Sequence, residues 1–231
     1  MESRFSNMAK TVIGRGLMRT LAQVFFPQYC VVCKKEGSVL CEECYEKSAA
    51  RMTRGVLFER GMATSYYHDV THRTLLQMYK YDGIADAGNI LEKLFRAFLI
   101  RHEAQLRKEF FYGHHVTVIP VPLHWFRERL RGFNQIARCA QVTAQIFGAA
   151  YCDDVLVRRL QWRAQATITD NAARAQNASR SVRSRSGARI AGDVVLVDDV
   201  YTTGATVAVC ADELIRIGAK NVYVLAILKG K

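Results

Sequence analysis

A mixed α/β fold built on a parallel sheet is the architecture this sequence predicts, and three observations predict it. The runs VTVIPV (Val116–Val121), VVLV (Val194–Val197) and VYVLAIL (Val222–Leu228) are nearly continuous in apolar character, as strands covered on both faces require. Between the last two, Gly204–Ala219 carries Val207, Cys210, Leu214 and Ile217 at helical spacing, with Gly218 at its end. Strand, loop, helix and strand make a βαβ unit, which leaves ligands at the carboxyl ends of its strands. Third, half of the 231 residues are apolar, enough for a sizeable core.

Taken in order, the chain divides into residues 1–26, 27–50 and 51–231. The first part is basic, and Val12, Ile13, Leu17, Leu21, Val24 and Phe25 predict an amphipathic helix from about Lys10 to Phe26, stopped by Pro27. It lacks the apolar core and small-residue cleavage site of a secretory signal. No run of about 18 apolar residues occurs anywhere, so no membrane span is expected.

The second part, CVVCKKEGSVLCEEC, contains Cys30, Cys33, Cys41 and Cys44 as two CxxC pairs seven residues apart. Each pair puts two sulfurs on one tight turn, and two facing turns make the tetrahedral thiolate cage that structural zinc prefers. Two disulfides would need an export signal, and a redox CxxC would not need a second copy at this spacing. Four thiolates leave no open position, so the expected role is structural. Cys139, Cys152 and Cys210 stand alone and are expected as buried thiols.

In the third part, Gly61–Asp69 reads as a strand and Val70–Gly83 as a short helix with a basic end. Ala87–Ile100 reads as a core helix through Ile90, Leu91, Leu94, Phe95, Phe98 and Leu99. The strand Val116–Val121 ends at Pro120 and Pro122. Arg127, Arg129 and Arg131 follow with Gly132 and Asn134, and a helix is expected from about Asn134 to Phe147. A strand exit, a basic turn and a helix start together form an anion site. Val155–Ile190 is polar and weakly periodic, and reads as a long functional loop with partial helix.

The net charge is +12, which favours an anionic partner: nucleic acid, a phosphorylated metabolite or an acidic protein. Twelve arginines and four acids between Val121 and Ile190 contribute +8 of it. Arg127, Arg158, Arg159, Arg163, Arg174, Arg183 and Arg185 are the candidate contacts to nucleic acid, with Trp125, Phe126 and Trp162 available for stacking.

The most informative stretch is VVLVDDVYTTGAT, Val194–Thr206. Thr202, Thr203 and Gly204 sit where successive amides and a helix start converge, a nest for a phosphate dianion. Asp198 and Asp199 would repel that phosphate, and as acceptors they suit sugar hydroxyls or metal-bound water. A ligand with a phosphate beside a vicinal diol, such as ribose 5-phosphate, fits both halves.

VLVDDVYTTGAT resembles the phosphoribosyl-pyrophosphate (PRPP) loop of type I phosphoribosyltransferases. The four cysteines, YKYDG, IPVPLHWFRERLRGFNQ, and Gln165, Arg174 and Asn177 spaced as Q-x8-R-x2-N are together similar to the GntX-related ComF/ComFC family of competence proteins. The resemblance runs from about Pro27 to Leu228 and departs from the family at ASRSVRSRSG, after Asn177. It implies a phosphoribosyltransferase fold, a central parallel sheet flanked by helices, behind a small zinc ribbon. It also implies a PRPP site formed by Asp198, Asp199, Val200, Tyr201, Thr202, Thr203, Gly204, Ala205 and Thr206, with Lys80 and Arg131 as charge partners. Asp198 and Asp199, the catalytic candidates, would hold the ribose hydroxyls and Thr202–Thr206 the 5-phosphate, with magnesium riding on the diphosphate.

The function so implied is support of natural transformation, the uptake of single-stranded DNA into the cytoplasm, with DNA-translocation machinery as a further partner at the inner face of the membrane. A metabolic phosphoribosyltransferase using an unidentified nucleophilic acceptor, or a PRPP sensor without catalysis, is the alternative. The same residues would bind PRPP in each case.

Overall fold

The computed structural model describes residues 27–52, 55–58, 61–112, 115–123, 134, 136–158 and 182–230. The helix expected over Lys10–Phe26 lies outside them, as do Arg127, Arg131, Arg159, Arg163 and Arg174, and Trp125, Phe126 and Trp162. Two compact units divide the chain between Lys47 and Ser48.

In the first unit, Tyr29 and Glu36 form a single antiparallel bridge. The Gly37 amide donates to the Gln28 carbonyl at 2.9 Å and the Val31 amide to the Val39 carbonyl at 2.9 Å. Helix α1 (Glu42–Arg51) begins with Glu42 and Glu43 in its first turn and has Arg51 in its last, the charge order its dipole favours.

The second unit is the α/β fold the sequence predicts. Among the described residues its sheet has six strands, β1 (Val56–Phe58), β2 (Gly61–Tyr66), β3 (Val116–Pro120), β4 (Ala150–Tyr151), β7 (Gly192–Tyr201) and β8 (Ala219–Lys229), ordered β1-β2-β8-β7-β3-β4. Of these, β1 runs antiparallel to β2, while β2, β8, β7, β3 and β4 are mutually parallel. Val194, Val195, Leu196 and Val197 at the centre of β7 are wholly buried, each contributing about 2 kcal/mol. That double-sided burial explains their continuous apolar run.

Helices cover both faces. On one lie α2 (Val70–Tyr81), α3 (Ala85–Arg101) and α5 (Ala137–Phe147), whose Leu76, Leu91 and Cys139 approach Asp199 and Ile227 of the sheet. Of the expected α3 stripe, Leu91, Leu94, Phe95, Phe98 and Leu99 are buried, and Ile90 is partly buried. Helix α4 (Glu103–Phe110), which the periodicity reading passes over, buries Leu106 and Phe110. On the other face α6 (Ala205–Arg216) packs Val207, Cys210 and Leu214 against Leu196, Val222 and Val224. No helix among the described residues is long and apolar enough to cross a membrane.

Two differences from the sequence reading bear on function. Strand β7 does not stop at Val197: Asp198 pairs with Ala226, Val200 with Leu228 and Tyr201 with Lys229. And the ends of the stretch expected to be loop with partial helix form a two-stranded antiparallel hairpin, β5 (Leu156–Arg158) with β6 (Val182–Ser184). Leu156 and Val182 join the core beneath α6.

Candidate functional site

The carboxyl ends of β3 and β7 meet in one crevice, where an open parallel sheet presents its ligands. The Val121 amide donates to the Val197 carbonyl at 2.9 Å, carrying the β3–β7 ladder to its last rung. Beyond it, Asn134 ties the two ends of the β3–α5 connection: its Nδ2 donates to the Val121 carbonyl at 3.2 Å and its Oδ1 accepts from the Ile136 amide at 3.2 Å. A cavity of about 270 Å³ opens here. Lys80, Arg158, Asp198, Asp199 and Thr206 supply its charged and hydroxyl groups, and Val121, Pro122, Leu123, Ile136 and Val200 its apolar wall.

The two acids differ in setting. Lys80, in the last turn of α2, places Nζ 2.5 Å from Asp199 Oδ2, with both side chains largely covered. Asp198 Oδ1 accepts from the Asp199 amide at 2.8 Å. Burial, reinforced by the Asp199 charge, pushes the Asp198 carboxyl up to about 7, against the pull of Lys80 and Arg158. The pair therefore offers one carboxyl matched by the Lys80 ammonium and one that takes or releases a proton near neutrality.

Next to the acids the backbone turns sharply into α6. Gly204 adopts φ 75° as the helix N-cap and makes no side-chain cap bond. The turn requires glycine twice over, because a Cβ there would stand 2.5 Å from the Tyr201 hydroxyl. Below, Tyr201 stacks on Phe58 at 4.1 Å. The first turn of α6 contains no acid, and its Ala205 amide donates to Thr203 Oγ1 at 3.4 Å; a helix start of this kind suits an anion through its remaining amides and the positive end of its dipole. Thr202 and Thr203 are exposed and Thr206 reaches the cavity.

Sequence position alone grouped Arg158 with nucleic-acid contacts; here it lines the cavity with the acids. Arg183 and Arg185 lie on the exposed side of the hairpin, Arg185 3.9 Å from Asp154. The hairpin is pinned to α6 by a cluster that the sequence reading did not single out. Glu213, nearly buried, accepts the Ser184 amide at 2.6 Å and Arg216 at 3.0 and 2.7 Å. The Arg216 guanidinium and the Ser184 amide hold its carboxyl down at about 2 despite partial burial. Its stabilising effect is therefore full above the ordinary carboxylate range and is lost as pH falls from about 4 towards 2. Glu213→Ala is expected to cost about 1–3 kcal/mol in urea unfolding, and Glu213→Gln to flatten the acid limb of stability between those pH values.

In the first unit the Sγ atoms of Cys30, Cys33, Cys41 and Cys44 all lie within 4.8 Å of one another. Cys33 and Cys41 are 3.6 Å apart, close to the roughly 3.8 Å edge of a tetrahedron with 2.3 Å zinc–sulfur bonds. Lys34, at φ 63°, closes the first CxxC turn by donating its amide to the Cys30 carbonyl at 2.9 Å. The second pair sits at the start of α1, where the Tyr45 amide donates to the Cys41 carbonyl. Burial raises the Cys30 thiol, but backbone donors of Cys33, Cys41 and Val32 outweigh it and bring it to about 6. Burial and the neighbouring sulfurs push Cys44 up to about 12. Four sulfurs this close cannot all ionise unless a cation sits among them, and the donor set fits zinc.

No protein-family model matches the chain. It is similar to the competence protein ComFC of Streptococcus pneumoniae (strain ATCC BAA-255 / R6), 27% identical over 198 residues that span 85% of this chain and 78% of that protein. It is also similar to ComFC of Bacillus subtilis (strain 168), 25% identical over 199 residues, 82% and 72% of the two chains. The DNA utilization protein YhgH of Salmonella typhi is 36% identical over 110 residues, 46% of each. Among solved structures, a hypoxanthine phosphoribosyltransferase from Staphylococcus aureus matches at TM-score 0.36 and 16% identity, over 62% of each chain. A phosphoribosylpyrophosphate synthetase from Mycobacterium smegmatis matches at TM-score 0.31 and 16% identity, over 68% of this chain and 50% of that one. The resemblance to the ComF/ComFC family carried by the sequence motifs is borne out by the curated relatives.

Proposed function

We propose that this chain binds phosphoribosyl pyrophosphate with magnesium and serves the uptake or use of single-stranded DNA in the cytoplasm. The observation that supports the ligand assignment is the grouping of Asp198, Asp199 and Thr206 around one cavity, with the Gly204 turn at the start of α6 next to them in the chain. Asp198 and Asp199 accept hydrogen bonds from the ribose hydroxyls. The Thr202–Thr206 amides and hydroxyls receive the 5-phosphate, and Lys80, Arg158 and Arg131 balance the diphosphate. The carboxylates and the ligand's own phosphate oxygens are hard donors of the kind magnesium takes; when bound, the ion would neutralise diphosphate charge. The DNA half of the proposal is supported by the names of the relatives, competence protein and DNA utilization protein, and by the +12 charge.

Calorimetry with phosphoribosyl pyrophosphate and magnesium tests the first half. Asp199→Ala is expected to weaken binding by about tenfold or more, since a charged hydrogen-bond acceptor and the Lys80 pair are lost together. An unchanged affinity would reject the site. For the second half, affinity for single-stranded DNA is expected to fall steeply with salt as counter-ions are released, and a flat response counts against it.

A second reading, transfer of the phosphoribosyl group to a nucleophile, is favoured by the two cations on the cavity wall. Lys80 and Arg158 both line the cavity and would offset the charge that grows on a departing diphosphate. Pyrophosphate release with any of a panel of acceptors would establish it.

A further inference from the structure

We propose that the turn Tyr66–Asp69 is a stacking platform for unpaired bases of a single-stranded nucleic acid, set beside the phosphate turn. The proposal rests on the reading above that such a strand is a partner, and it names the contact surface. Tyr66 and Tyr67 keep 50% and 38% of their surface in water, and Val70 keeps 62%. Three large apolar side chains are thus exposed within five consecutive positions.

The turn is firmly held. The Tyr67 amide donates to the Lys229 carbonyl at 2.7 Å and the Asp69 amide to the Tyr66 carbonyl at 3.0 Å. Asp69 caps α2 by accepting the His72 amide at 3.1 Å, and its carboxylate also meets the buried His72 ring. Exposed rings on a fixed backbone lose little entropy when a ligand stacks on them.

The neighbours identify the occupant. Tyr66 stacks on His68 with centroids 5.1 Å apart and planes 17° apart. The Arg73 guanidinium lies 5.9 Å from the Tyr67 ring centre, and Lys229 Nζ lies 5.1 Å from that of Tyr201. An apolar partner would strand these cations away from water, whereas a strand of bases and phosphates satisfies rings and charges together. Position agrees as well. Tyr66 is in register with Lys229, and Lys229 with Tyr201, the residue before Thr202. Two strand spacings, about 10 Å, separate the platform from the phosphate turn.

The test uses the full chain and two fluorescent probes, an oligothymidylate and an abasic strand of equal length. Tyr66→Leu and Tyr67→Leu are each expected to lose about tenfold in affinity for the oligothymidylate. They should leave the abasic strand, the salt slope and phosphoribosyl-pyrophosphate affinity unchanged, and Tyr→Phe should restore binding. Equal loss on both probes, or no loss on either, overturns the platform while leaving the DNA partner standing. A native protein that binds neither probe overturns the DNA reading and the platform with it.

Discussion

Cys44→Ser is expected to abolish stoichiometric zinc binding and to unfold the segment between Cys30 and Cys44. The four sulfurs form a single cluster, and a structural zinc site of this kind contributes roughly 10–16 kcal/mol to folding of small modules. Little else in a segment this short could replace it. Metal analysis should fall from about one zinc per chain to a small fraction, and hydrogen exchange at Val31 and Gly37, whose amides are bonded within the module, should become fast. Cys152→Ser, which alters a thiol outside the cluster, should leave both measurements as they were. Unaltered zinc content in the Cys44 variant would refute the centre. Because thiolates bind the metal and thiols do not, zinc should also be released on acidification.

The second large effect is a gain bought with a loss. Asp198→Asn is expected to stabilise the fold by about 1–2 kcal/mol at neutral pH, because it removes a carboxyl whose ionised form is opposed by burial and by Asp199. The amide oxygen can still accept the Asp199 N–H, so the local hydrogen bond survives. The native state holds the Asp198 proton more tightly than the unfolded chain does. Native stability should therefore fall as pH rises from about 4 to about 7, and that slope should flatten in the variant. Phosphoribosyl-pyrophosphate affinity should drop about tenfold or more, since the amide offers one acceptor oxygen where the carboxylate offers two. A variant no more stable than the native chain, measured by thermal unfolding at pH 7, would contradict the burial argument.

The contiguous parts of the site were legible in the sequence because one short stretch carries them all: apolar run, two acids, threonines and glycine, then a helix start. What escaped notice depended on residues far apart. Asp198 and Asp199 have poor strand propensity, and the strand continues through them to Tyr201 because β8 runs alongside to Lys229. The hairpin β5–β6 offers Leu156 and Val182 as its buried residues, too few for any period to emerge from an arginine-rich background. Arg158 thus read as one more surface charge, although its strand carries it to the cavity. The Lys80–Asp199 pair joins positions 119 apart in the chain, and no local pattern could reveal it. Helix α4 is legible in the sequence, since Leu106 and Phe110 stand at helical spacing in EAQLRKEF.

The Lys80–Asp199 contact also governs the order of events at the crevice. At 2.5 Å the ammonium engages one oxygen of the carboxylate, Oδ2, so the cavity carries its own counter-ion while the second oxygen keeps its acceptor capacity. On the proposed reading, a ribose hydroxyl would take that second oxygen or turn Lys80 aside to take both, and an ammonium so released would be available to phosphates joined to the same sugar. The contact would on that account favour a ligand that brings sugar and phosphates together over either part alone.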